Sequence, residues 1–230
     1  MAESRIHFRQ IQAGPMANYV YFIGDPISRK AAIVDPAWEV ARIADIALRD
    51  GYEIDKILIT HYHPDHLGGD LMGHHIEGAV ELLERVKAKL YVNKAEVPWV
   101  RRIAGLADSD LVAVEGGDTA ALGALTIKFL HTPGHTPGSQ CFLLDSNLIS
   151  GDTLFIGGCG RVDLPGADPE QMYHSLNRVL RNLDESTVVY PGHAYAPQPS
   201  STIGAEKRTN PYMRFDSLGG FLAAMGMQAR

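Results

Sequence analysis

An α/β architecture is what this chain of 230 residues predicts. Three observations lead there. Short runs of β-branched and aliphatic residues alternate with stretches whose apolar residues recur at helical spacing. The runs give way to loops marked by Gly or Pro. A chain of this length can also build one large α/β domain, and no linker, internal repeat or low-complexity segment interrupts it. We therefore expect a single domain over 1–230, closed by a short helical tail from about 200 to 230.

The elements follow in order. Strands are expected at 6–11, 18–23 and 31–35. A helix over 38–49 carries Val40, Ile43, Ile46 and Ala47 on one face, and Gly51 stops it. The run 54–60 reads as a buried strand. After a loop at 71–76, a helix over 77–87 turns Val80, Leu83 and Val86 to one side. Strands are expected at 90–93, 111–114, 125–130, 139–144 and 147–150, the last two joined by a turn at Asp145 and Ser146. A helix over 169–182 points Met172, Leu176, Val179 and Leu180 inward. A short strand at 187–190 and a closing helix at 217–227 complete the chain.

Composition narrows the function. Hydrophobic residues make up 45% and charged residues 21%, as in ordinary soluble proteins. With 21 Lys and Arg against 27 Asp and Glu, the net charge is −6 and no basic cluster stands out. Nucleic acid and anionic membrane are thus not expected partners. The first five residues lack an apolar leader and no apolar run approaches a membrane span, so a cytoplasmic location is expected. The two cysteines, Cys141 and Cys159, do not make a disulfide framework. Cys141 reads as a buried small hydrophobe and Cys159 as a small residue in a tight loop.

The chemistry is concentrated in Thr60-His61-Tyr62-His63-Pro64-Asp65-His66-Leu67-Gly68-Gly69. A buried strand here delivers three imidazoles and a carboxylate into a Gly-ended loop, as a rigid scaffold presents a metal site. His135, Asp152 and His193 each stand where another apolar run meets a Gly- or Pro-marked loop. Five histidines and two aspartates suffice for two metal ions with nitrogen and oxygen donors.

His61-x-His63-x-Asp65-His66, followed by His135, Asp152 and His193, resembles the signature of the metallo-β-lactamase-fold hydrolases. Asp35, in Ala32-Ile33-Val34-Asp35-Pro36, resembles the family's first motif, a structural aspartate near the site. The resemblance runs from about Asn18 to His193 and implies a four-layer αββα sandwich. It implies that His61, His63 and His135 hold one metal, that Asp65, His66 and His193 hold a second, and that Asp152 bridges them. Two divalent ions would be the cofactors, with zinc the leading candidate and iron and manganese also suited to these donors. They would lower the pKa of a shared water, whose hydroxide attacks a carbonyl while Asp65 orients it and accepts its proton. The true β-lactamases most often carry Arg and Cys where this chain has His66 and Asp152. The flavodiiron reductases carry Glu where it has His63, and the nucleases of the fold carry a long inserted domain that has no room here.

Two branches are most similar. The segments 151–161, 170–176 and 206–214 resemble hydroxyacylglutathione hydrolase (glyoxalase II), which implies hydrolysis of an S-acyl glutathione thioester to a hydroxy acid and glutathione. Arg161 and Tyr195 fall where that family contacts its substrate, although Arg161 could equally pair with Asp163. Glyoxalase II has a long helical segment between that tyrosine and the tail. Residues 196–199 and a few more stand in its place here, so another thioester or an ester is also a candidate substrate. Gly158-Cys159-Gly160-Arg161-Val162-Asp163 resembles the persulfide dioxygenases, which implies a single iron held by His61, His135 and Asp152. A lactonase is a third branch that residues 131–139 would suit.

Five histidines stand apart from the motif, of which His7 and His174 are expected as surface or core residues. His131 could sit behind a metal-binding imidazole and fix its tautomer, or be an ordinary strand-end residue. His74 and His75 are expected in a mobile loop near the site. That loop could line the substrate entrance or a contact between the two copies of a homodimer.

Overall fold

Two six-stranded sheets lie face to face between two layers of helices. The computed structural model describes residues 6–226. The first five residues and Met227, the expected end of the closing helix, lie outside the described residues.

The chain opens with β1 (His7–Ala13), β2 (Asn18–Gly24) and β3 (Lys30–Val34), then α1 (Val40–Arg49) and β4 (Glu53–Leu58). A single turn, α2 (Pro64–Leu67), precedes a small hairpin of β5 (Gly69–Leu71) and β6 (His74–Ile76). Next come α3 (Ala79–Arg85), β7 (Lys89–Asn93), α4 (Val97–Ala104) and β8 (Leu111–Val114). The second half holds β9 (Thr119–Leu122), β10 (Leu125–His131), β11 (Gln140–Leu144) and β12 (Asn147–Gly151). A two-residue hairpin, β13 (Leu154–Phe155) with β14 (Gly158–Cys159), leads to α5 (Pro169–His174). The tail adds β15 (Val188–Pro191), β16 (Ser201–Thr202), α6 (Ile203–Thr209) and α7 (Leu218–Ala224).

The first sheet runs β1-β2-β3-β4-β7-β8, antiparallel across its first three strands and parallel from β3 onward. The second runs β16-β15-β12-β11-β10-β9, and only β12 and β15 pair in parallel. Helices cover the outer face of each sheet, so central strands are apolar on both sides. In β2, Tyr19, Tyr21 and Ile23 enter the core between the sheets, whereas Val20 and Phe22 face α1 and α3. Phe129, Phe142 and Ile149 meet the first set from the second sheet. A third core packs Leu148 and Val189 against Met172, Leu176, Ile203 and Phe221.

Parallel strands aim their C-terminal ends at one edge of this sandwich, and the loops that follow β3, β4, β12 and β15 carry Asp35, His61, Asp152 and His193. Backbone bonds close that edge. Gln140 N–H donates to Thr60 O (3.0 Å), and Gly192 N–H to Gly151 O (2.9 Å). Gly151 has φ +49°, and a Cβ there would lie 2.7 Å from Cβ of Thr60. Glycine at 151 therefore lets the Asp152 loop approach the His61 loop. Gly151→Ala is expected to cost about 2–4 kcal/mol through the left-handed backbone and the overpacking together, read by urea denaturation. A change below about 0.5 kcal/mol, the size of an ordinary surface substitution, would show that the two loops part freely.

Several expectations need correction. Residues 71–76 are not a free loop. They fall within and beside a hairpin in which His75 bridges Asp70 (3.3 Å) and Glu81 (2.8 Å). The expected helix over 169–182 keeps α-geometry only to His174, then widens to a π-turn and tightens to a 3₁₀ turn. Ser175, at the change, donates to Pro133 O (2.6 Å), a bond that anchors this turn beside the His135 loop. Helix α4 and strand β9 have no counterpart among the expected elements, and α6 falls within the helical tail expected from about 200.

Candidate metal centre

Seven side chains from four loops converge at this edge. The loop after β4 turns at Pro64, the first residue of α2, and spreads His61, His63, Asp65 and His66 around one point. His135 arrives from the loop after β10, Asp152 from the end of β12 and His193 from the end of β15. His61, His63 and His135 bring their donor atoms within 4.8 Å of one another, and so do Asp65, His66 and His193. His61, His66 and Asp152 form a third such set. Five of the seven are buried, while His63 is half-buried and the Asp152 side chain is 11% exposed.

The imidazoles are held from behind. Thr60 Oγ1 donates to Asp35 Oδ2 (2.6 Å), so the same oxygen accepts from His61 Nδ1 (3.0 Å). Asp35 Oδ2 also accepts from His66 Nδ1 (3.0 Å), and Asp35 Oδ1 accepts the Thr60 N–H (2.8 Å). His135 Nδ1 donates to Arg161 O (2.8 Å) and His193 Nδ1 to Met16 O (3.0 Å). With Nδ1 committed as a donor in four rings, each Nε2 is turned to the centre, where a neutral ring offers a lone pair. His66 Nε2 and His193 Nε2 lie 3.2 Å apart, and His135 Nε2 lies 3.0 Å from His63 Nδ1. Lone pairs at that separation repel unless a proton or a metal ion lies between them.

The electrostatics agree with a cation site. Burial, reinforced by the neighbouring imidazoles, holds His61 well below the usual range and His63 down to about 4, so both are neutral near pH 7. His66 is the opposite case. Burial opposes its charge, but the carboxylates of Asp65, Asp152 and Asp35 outweigh it and push the ring up to about 10. Burial likewise opposes ionisation of Asp152, yet His66, His193 and His135 hold its carboxyl well below the usual range. His61 Nε2 and Asp152 Oδ1 are buried with no hydrogen-bond partner among the described residues. Each would cost about 1–3 kcal/mol left that way. Neutral His61 and His63, an ionised Asp152, orphaned acceptors and a His66 proton that a bound cation would displace are a donor set that fits divalent ions.

The remaining residues singled out by sequence lie at varied distances from this point. Tyr195 is 62% exposed, yet its ring stacks on His193 at 4.5 Å and meets Phe155 edge-on at 5.3 Å. The Arg161 guanidinium pairs with Asp163 through two bonds (2.9 and 2.8 Å), the alternative reading of that residue, while its backbone carbonyl holds His135. His131 turns to Pro137 O (3.0 Å) and not to any of the seven side chains. Cys159 is half-buried in β14, and burial pushes its thiol up to about 12. Three supporting residues were not among the site residues expected from sequence. Asn18 donates to Asp65 Oδ2 (3.0 Å) and is itself held by Trp38 Nε1 (3.0 Å). Glu206 and Asn210 of the tail fasten the hairpin after Asp152, through Gly157 N–H (2.8 Å) and Gly158 O (2.9 Å).

The sequence pattern of the Metallo-beta-lactamase superfamily matches residues 13–193. A probable polyketide biosynthesis zinc-dependent hydrolase of Bacillus velezensis is 32% identical, over 87% of this chain and 83% of its own length. A hydroxyacylglutathione hydrolase of a Synechococcus species is 34% identical, over 86% of this chain and 85% of its own. The mitochondrial persulfide dioxygenase of Homo sapiens is 30% identical, over 96% and 81%. Among solved structures, ETHE1 from Myxococcus xanthus superposes with a TM-score of 0.82 at 32% identity, over 96% of this chain and 90% of that one.

Proposed function

The chain belongs to the metallo-beta-lactamase superfamily, and from that membership we propose a dinuclear metal-dependent hydrolase that cleaves a small thioester, of the hydroxyacylglutathione hydrolase type. The observation that carries the metal reading is the pair of three-residue donor sets facing each other with Asp152 between them. His61, His63 and His135 would hold one ion, Asp65, His66 and His193 the other, and Asp152 would bridge. Two divalent ions bound there would supply Lewis acidity and an activated water near neutral pH. Zinc is the ion we propose, in line with the zinc-dependent relative.

The chain's own residues supply the rest. Asn18 orients Asp65 through Oδ2, and Asp65 takes the proton of the water that adds to the acyl carbon. The carbon–sulfur bond then breaks, and the thiol leaves with a proton. Tyr195 and Phe155 form an aromatic wall beside His193 against which the acyl group packs. Arg161 can reach a substrate carboxylate only by leaving Asp163. Among the described residues no helix is long and apolar enough to cross a membrane.

The deciding assay is hydrolysis of S-lactoylglutathione by metal-loaded protein, with His61→Ala and Asp65→Ala beside it. We expect a rate at least about 100-fold above either variant. No turnover with metal confirmed bound rejects the glutathione thioester, and unchanged turnover in Asp65→Ala rejects the proton acceptor. A mononuclear iron dioxygenase built on His61, His135 and Asp152 is the second reading. It draws on the persulfide dioxygenase relative and on the 3.6 Å from His135 Nε2 to Asp152 Oδ2. Oxygen uptake with glutathione persulfide and no thioester hydrolysis would establish it in place of the first.

A further inference from the structure

Glu96 is a fully buried carboxylate, 0% exposed, with no cation paired to it among the described residues. It sits between β7 and α4, where its carbonyl accepts the first helical N–H groups, from Trp99 and Val100 (both 2.9 Å). Its side chain points away from that helix toward the candidate metal centre. Oε2 accepts the N–H of Tyr62 (2.7 Å), the residue between His61 and His63. Oε1 accepts the N–H of Gly138 (2.6 Å), three residues past His135. The fit on the second side is close, since a Cβ on Gly138 would lie 2.6 Å from Cγ of Glu96. Ser139 Oγ accepts the N–H of Thr136 (3.0 Å), which makes the His135 loop a rigid turn and not a slack tether.

Two short, charge-assisted bonds thus join the backbones of the two loops that carry the first donor set. The His63 and His135 rings they position meet at 3.0 Å. Burial pushes the Glu96 carboxyl up to about 7, so a fold selected for stability alone would favour a neutral residue here. We propose that Glu96 is a positioning residue for the metal centre, a carboxylate tie that fixes the spacing of His61 and His63 against His135. The inference rests on the metal reading above and adds a residue to it that makes no contact with metal or substrate.

Glu96→Gln tests it. A carboxamide keeps the volume but offers one acceptor oxygen, so one of the two N–H groups faces an NH₂. Titration with cobalt is expected to show about 10- to 100-fold weaker binding to the full-length protein, with altered visible bands of the bound ion. Glu96→Asp keeps both acceptors but retracts them by one carbon, and should give a smaller change of the same kind. Ile43→Val, fully buried in α1 and remote from both loops, lowers stability without moving the cobalt spectrum. Wild-type cobalt affinity and bands in Glu96→Gln overturn the proposal. If that variant fails to fold, the same two readouts on Glu96→Asp decide, and unchanged values again overturn it. Failure of the wild-type protein to bind cobalt, zinc or iron would remove the metal reading itself. A loaded wild type with an indifferent variant removes only the role of Glu96.

Discussion

Asp152→Ala is expected to lower hydrolysis by about 1000-fold and to reduce bound metal from two ions per chain toward one. The reason is position. Asp152 Oδ1 lies 3.4 Å from His66 Nε2, while Oδ2 lies 3.4 Å from His193 Nε2 and 3.6 Å from His135 Nε2. One carboxylate therefore faces rings from both donor sets, which no other residue of the seven does through two separate oxygens. A partner standing behind a ligand is worth about 10- to 100-fold in metal affinity, and a donor shared by two ions should exceed that. Three imidazoles hold the Asp152 carboxyl ionised against its burial, so its removal also leaves their charge less compensated. Metal analysis beside the kinetic assay separates the two effects. A variant that keeps two ions and the full rate would show that Asp152 does not bridge.

How far the sequence reveals this site depends on where its information lies. The seven side chains are legible because each is a chemically distinctive residue at or soon after the end of an apolar run, as in the stretch that begins Ile57-Leu58-Ile59-Thr60-His61. The alternation of strands and helices makes only the α/β class legible, and the four layers are legible through the family resemblance alone. Helix α4 is harder to see. Its eight residues include Val97, Val100 and Ile103, whose β-branching blurs the periodicity, and only Val100 is buried. The supporting residues are harder still. Glu96, Asn18 and Glu206 act on backbone N–H or carbonyl groups and on residues 34, 47 and 49 positions away. A backbone group has no side-chain signature, so nothing in the local pattern marks its partner. Asp35 was legible only as part of a family motif, and the structure supplies what it touches.

Asp35→Ala is the substitution expected to cost most in stability, about 3–5 kcal/mol, with loss of one metal ion as a second effect. Asp35 is buried, and its two oxygens accept three bonds, from Thr60 N–H, Thr60 Oγ1 and His66 Nδ1, all between 2.6 and 3.0 Å. Alanine removes every acceptor and leaves two donors of Thr60 and one of His66 buried without partners. It would also occupy φ +50°, a left-handed conformation that aspartate tolerates better than alanine does. The consequence then travels to the site by two routes. His66 is free to rotate about its ring axis, and the Thr60 hydroxyl no longer needs to accept from His61 Nδ1, so both rings lose the tautomer that turns Nε2 inward. Asp35→Asn separates the two effects, because its single oxygen, placed at Oδ2, can keep the Thr60 Oγ1 and His66 bonds but then sets an NH₂ against the Thr60 N–H. Urea denaturation of the metal-free protein reads the first effect, and zinc stoichiometry at saturating metal reads the second. A loss of stability below about 1 kcal/mol would mean that the three donors find other partners, and the relay from Asp35 through Thr60 to His61 would have to be abandoned.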